Sequence, residues 1–140
     1  MAHPDLDRLV DYCLRLAQDL LKKSGKFYPF AATMKPDGEI GLLALHSSEE
    51  KPLSQTLIDQ LTELLKTLAH KEEARAAALC FDSRVSTDGN AAHKRDAIAV
   101  ALEHSNGESV TVFLPYKKKF FGGRKYDPMI AAARERQFFP

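Results

Sequence analysis

From Pro4 to Ser24 apolar residues return at Leu6, Leu9, Val10, Cys13, Ala17, Leu20 and Leu21, three or four positions apart, which lines them along one stripe of a helix. Pro4 suits the first turn, Asp5 and Asp7 complement the positive end of the helix dipole, Lys22 and Lys23 complement the other, and Gly25 supplies the left-handed stop. The period then shortens. Phe27 to Met34 and Glu39 to His46 are apolar runs on either side of the turn sequence Lys35-Pro36-Asp37-Gly38, and they read as an antiparallel hairpin. Pro29 lacks a ladder donor, so its place is a strand start, an edge or a bulge. After the polar segment from Ser47 to Pro52 comes a second helical stripe, at Leu57, Ile58, Leu61, Leu64, Leu65 and Leu68, with Ser54 as its N-cap and Lys71-Glu72-Glu73 as its end. Three further strands follow, Arg75 to Val85, Asp96 to His104 and Ser109 to Tyr116. The last two are joined through Asn106-Gly107, a strong hairpin signal, and the earlier two through the polar loop from Ser86 to Arg95. A short helix is read from Asp127 to Arg136.

The order α-β-β-α-β-β-β with short connections predicts a two-layer α+β fold, in which a five-stranded antiparallel sheet carries both helices on one face. Nothing divides the chain, so residues 1–140 read as a single domain with 117–140 as a basic, aromatic C-terminal extension. A sheet covered on one side must expose the other or bury it against a partner, and Leu79, Phe81 and Phe113 cannot all point into the same core. A second copy of the chain would be an economical cover, which makes a homodimer the expectation.

This order of elements resembles that of the roadblock, longin-related and profilin-like domains over roughly residues 5–116. The strings Phe27-Tyr28-Pro29-Phe30 and Phe113-Leu114-Pro115-Tyr116-Lys117-Lys118-Lys119 are similar to those of small uncharacterised bacterial proteins. The first resemblance implies a dimerising, binding role such as the regulation of small GTPases or scaffolding, and the second brings no activity with it. No residue-level motif matches, so no functional residue is carried over.

Composition adds the balance of an ordinary globule, 44% hydrophobic and 28% charged over 140 residues. No apolar run approaches the ~18 residues of a membrane span, and no basic and apolar export signal stands at Met1. A cytoplasmic protein without a membrane partner is expected. Cys13 on a helix stripe and Cys80 inside an apolar strand read as buried free thiols in a reducing compartment. The formal charge of +1 is a cancellation. Residues 116–140 hold seven Lys and Arg against two acids, while residues 1–115 hold thirteen against seventeen.

That asymmetry singles out Tyr116, Lys117, Lys118, Lys119, Phe120, Phe121, Arg124, Lys125 and Tyr126 as the candidate ligand- or partner-binding residues. Cations interleaved with aromatics can track a phosphate backbone while stacking bases, or hold an acidic surface. The alternative is that Phe120, Phe121 and Tyr126 tuck onto the sheet and the lysines are merely solvated. Asp82, Arg84 and Asp96 lie on neighbouring predicted strands and would line a groove if they share a face, or form ordinary cross-strand ion pairs if that face is open. The five histidines show no ligand spacing, the cysteines lack an activating setting, and Gly122-Gly123 is no phosphate-loop fingerprint. No metal and no cofactor are expected. The leading reading is a non-enzymatic interaction or scaffold domain with a protein partner. The alternatives are an anionic-ligand or nucleic-acid binder acting through 116–126, and an enzyme whose site the fold assembles near Asp82, Arg84 and Asp96.

Overall fold

A computed structural model describes residues 3–45, 53–86 and 88–140. Helix α1 (Pro4–Ser24) begins at His3, whose Nδ1 accepts the Asp5 N–H at 3.0 Å, and ends at Gly25, whose φ of 76° lets its N–H reach the Leu21 carbonyl. Its stripe of Leu6, Leu9, Cys13, Ala17 and Leu21 is buried. Strands β1 (Phe30–Met34) and β2 (Ile40–Leu43) form the expected hairpin, with Pro29 just before the first strand. His46 and the segment to Pro52 lie outside the described residues. Helix α2 (Ser54–His70) buries Leu57, Leu61, Leu65 and Ala69, but Ser54 is its first helical residue rather than its cap. Leu53 holds the cap position in extended conformation and offers no side-chain hydrogen bond.

Three long strands follow, β3 (Ala76–Ser86), β4 (Lys94–His104) and β5 (Ser109–Lys118), then the short β6 (Arg124–Tyr126) and β7 (Ile130–Ala133). All pairings are antiparallel, in the order β2-β1-β3-β4-β5-β6. The outer edge of β5 is shared, β6 pairing with residues 116–118 and β7 with residues 110–113. Among the described residues the sheet thus has seven strands rather than the five expected. The helix expected from Asp127 to Arg136 does not form, because a segment this short is a poor isolated helix while the open edge of β5 offers its backbone a ladder.

The layering also differs from expectation. Alternate residues Phe30, Ala32, Met34, Ala76, Ala78, Cys80, Ile98, Val100 and Leu102 pack under α1, whereas Ala31, Ala77, Leu79 and Ala101 pack under α2. The helices therefore lie on opposite faces of an α+β fold with three layers instead of two. The second face, for which a partner copy is the expected cover, is covered within the chain by α2 and by Phe138 and Phe139 of the C-terminal tail. Both thiols are free and buried, and loss of water pushes Cys13 up to about 12 and Cys80 upward as well, so neither is an activated nucleophile. Among the described residues no helix is long and apolar enough to cross a membrane.

Candidate functional site

The basic, aromatic stretch is a β-hairpin at the far corner of the sheet. Lys119 N–H donates to the Gly123 carbonyl at 3.1 Å, and Gly122 and Gly123 at φ of 85° and 73° turn the chain between β5 and β6. The glycine pair is thus a turn device, since these backbone angles suit glycine and few other residues. Register sets Tyr116 opposite Tyr126, Lys117 opposite Lys125 and Lys118 opposite Arg124.

The nine candidate residues divide by burial. Tyr116 is buried and Tyr126 half-buried, their rings 5.8 Å apart. Arg124 Nη1 donates to the Leu21 carbonyl at 3.0 Å and Nη2 to that of Gly25 at 3.4 Å, which caps the C-terminal end of α1 and fastens the hairpin base to it. The guanidinium lies 5.8 Å from the Tyr116 ring centre. These three residues hold the hairpin in place. Lys117, Lys118, Lys119, Phe120, Phe121 and Lys125 are exposed, and the two phenylalanines are 93% and 94% accessible. Their rings meet edge to face at 4.9 Å. Of the three aromatics read as alternatively tucking onto the sheet, Tyr126 does so and Phe120 and Phe121 do not.

Asp82, Arg84 and Asp96 share one face of the β3–β4 ribbon, where that ribbon runs beyond the cover of α1, and all three are exposed. Arg84 Nε lies 3.9 Å from Asp96 Oδ1, and Asp82 Oδ1 accepts the Tyr116 hydroxyl at 3.0 Å. Loss of water, together with the Asp82 carboxylate, raises the Tyr116 phenol, which keeps it a proton donor. Loss of water also raises Asp82, helped by nearby Asp96 and opposed by the Tyr116 bond. Arg84 and Asp96 thus form a cross-strand pair, and Asp82 is bonded to Tyr116 two strands away.

A cluster with no spacing signal in the sequence lies at the other end of the strands. Asp5, buried at the start of α1, accepts from Arg75 Nη2 at 2.9 Å through Oδ1 and from His104 Nε2 at 2.8 Å through Oδ2. Burial alone would raise the Asp5 carboxyl, but the bonds from His104 and Arg75 outweigh it and hold the group below the usual carboxylate range. His3 stacks on His104 with ring centres 4.3 Å apart. His3, Asp5 and His104 each bring one ligand-type atom within 4.8 Å of the others, close enough to ligate one metal ion. Their hydrogen bonds oppose that use. The Asn106 N–H donates to His104 Nδ1 at 3.1 Å, which places the proton of a neutral ring on Nε2, aimed at Asp5, while His3 Nδ1 is occupied by the Asp5 N–H. The nitrogen lone pairs a metal would need are committed, and the cluster is a fastening.

Glu103, adjacent to His104 but pointing to the opposite face, is fully buried and accepts the N–H groups of Gln137, Phe138 and Phe139 at 2.8, 2.9 and 3.2 Å. Arg134 Nη1 lies 3.1 Å from Oε2, the oxygen that also accepts from Gln137, and the Arg134 guanidinium covers the Phe138 ring at 4.9 Å. Compared with protein-family models, with curated proteins and with solved structures, the chain matches none.

Proposed function

We propose that this chain is a non-enzymatic binding module that engages an acidic protein surface with the β5–β6 hairpin. The observation that supports this reading is the pair of solvent-facing rings, Phe120 and Phe121, set at the tip of a ribbon whose facing residues are cations on both sides, Lys117 with Lys125 and Lys118 with Arg124. Like charges directly opposite each other weaken a hairpin, and exposed aromatic rings gain nothing from water. Both features favour the state in which an acidic surface screens the lysines and covers the rings.

A protein surface fits the tip better than a nucleic acid does. The two rings pack edge to face on one another instead of presenting parallel platforms for successive bases, and the lysines diverge onto both faces of the ribbon rather than lining a groove. The test is fluorescence anisotropy with a labelled peptide of alternating glutamate and leucine, set against a labelled oligo-dT of similar charge. Peptide binding that weakens with salt and drops more than about tenfold in the Phe120→Ser, Phe121→Ser double variant is expected. Preference for the oligonucleotide, or peptide binding indifferent to the two phenylalanines, would overturn the reading.

A further inference from the structure

We infer that the hairpin tip of one molecule docks into a cleft of a second copy, so that the chain self-associates head to tail. The cleft, of about 820 Å³, lies beside the β1–β2 turn and the end of α2. Leu43 and Leu68 are among its apolar lining residues and Asp37, Glu72 and Glu73 among its charged ones, while Leu42 borders it from β2 with its side chain turned to the α1 face. Lys35 also lines it, but its ammonium lies 3.9 Å from Glu39 and is partly offset there. Two aromatic rings among lysines meet, in this cleft, leucines among carboxylates. The match extends to the whole molecule, since the part that carries the tip is net positive and the part that carries the cleft is net negative.

The backbone of the rim carries a second mark. Glu72 has φ of 59°, the one non-glycine residue with positive φ among those described, at the position after α2 where glycine is the usual choice. A carboxylate stands there at a conformational cost that glycine would avoid.

The molecule cannot satisfy its own tip. The register places Met34, Ala76, His104 and Ser109 at one end of the strands and Phe30, Cys80, Asp96 and Lys118 toward the other. The cleft belongs to the first end and to the β2 edge, while the tip belongs to the second end and to the β6 edge. They occupy diagonally opposite corners, with about 24 Å of sheet width between the edges at the usual strand spacing. A contact of this kind joins different patches on the two copies, so it extends into a chain unless its rotation closes a ring. Two phenylalanines bury roughly 300–500 Å² on the docking side, below the scale of a stable interface. The association is therefore weak and concentration-dependent.

This inference rests on the proposed role of the hairpin, and the experiment separates the two. Sedimentation equilibrium from tens of micromolar to millimolar protein should show a weight-average mass rising from 15.6 kDa past that of a dimer. Phe120→Ser with Phe121→Ser, or Glu72→Lys with Glu73→Lys, should each lower the association constant more than about tenfold. A mixture of these two variants should form a one-to-one complex that goes no further, because only one intact tip and one intact cleft remain to meet. Circular dichroism verifies that each variant is folded, and both pairs of substitutions sit at exposed positions. A wild-type mass constant at 15.6 kDa, association that survives either double variant, or a mixture that stays monomeric would overturn the inference. Binding of the glutamate–leucine peptide, measured at low micromolar protein, reports on the hairpin alone. If that binding persists while the mass stays constant, self-association falls and the binding module stands.

Discussion

Replacing Glu103 with alanine removes the acceptor that three consecutive tail amides share. If the tail stayed in place, the three N–H groups and the Arg134 guanidinium would lose a buried charged partner, a loss of about 3–5 kcal/mol. The tail has another course, which is to undock and return those groups to water. The loss is then limited to what docking contributes, chiefly the burial of Phe138 and Phe139 at about 1.5–3 kcal/mol each, offset by the chain entropy regained. Both routes put the cost near 3 kcal/mol. Glu103→Gln keeps the shape and one carbonyl acceptor but loses the charge, so it should cost about half as much. Urea denaturation read by linear extrapolation gives the stability change, and hydrogen exchange at residues 137–139 shows whether the tail has left. In a chain ending at Arg136 the alanine substitution should cost far less, because the amides it serves are gone. A Glu103→Ala protein within 1 kcal/mol of wild type, with residues 137–139 still protected, would refute the reasoning.

The Asp5 carboxyl is held below its usual range by His104 and Arg75, so its ionised form favours the folded state. The sign follows: its contribution is complete above the ordinary carboxylate pKa of about 3.9 and disappears as pH falls through the lower folded value. The stability difference between wild type and Asp5→Asn should therefore be constant at neutral pH and shrink on acidification below about 4, and a difference unchanged down to pH 2 in urea titrations would contradict it. Glu72→Gly should raise stability by about 1 kcal/mol, seen as a higher thermal midpoint, because glycine takes φ of 59° without the Cβ penalty. A lower midpoint would count against strain at that residue.

The period of the sequence was enough to find both helices, the two hairpins and the strands β3 to β5, because each buries a regular stripe or ends in a turn with its own chemistry. The layering was legible too, though in a weaker signal. Phe30-Ala31-Ala32, Ala76-Ala77-Ala78-Leu79 and Ala97-Ile98-Ala99-Val100-Ala101-Leu102 are unbroken apolar runs, which belong to strands covered on both faces, whereas a half-exposed sheet alternates apolar with polar. Alanine hides that signal, since it lets α2 and the tail approach closely without adding much to hydrophobicity. For β7 the local sequence is indifferent, and only the free edge of β5 decides its state. The hairpin site was legible as a composition, five cations among four aromatics, but its division into anchors and exposed groups was not. Arg124 looks like its neighbours until the end of α1 is brought beside it.

The buried charges also have a logic that residue spacing cannot show. Glu103 and His104 are consecutive on β4 and so point to opposite faces of the sheet. His104 holds Asp5 and with it the start of α1 on one face, while Glu103 holds residues 137–139 on the other. The start of α1 and residues 137–139 are thus fastened at one end of a central strand, by partners about a hundred and about thirty-five residues away in sequence. At the opposite end of the same strands Arg124 is bonded to the end of α1, Arg95 pairs with Asp127 and Tyr116 bonds to Asp82, and beyond these contacts the β3–β4 ribbon and the β5–β6 hairpin run out into solvent. A sheet anchored in this way can present exposed cations and bare aromatic rings at one corner without losing its core. The base of the β5–β6 hairpin is held by Arg124 and by the Arg95–Asp127 pair, so its tip, with Phe120 and Phe121, can stay in solvent without loosening the sheet.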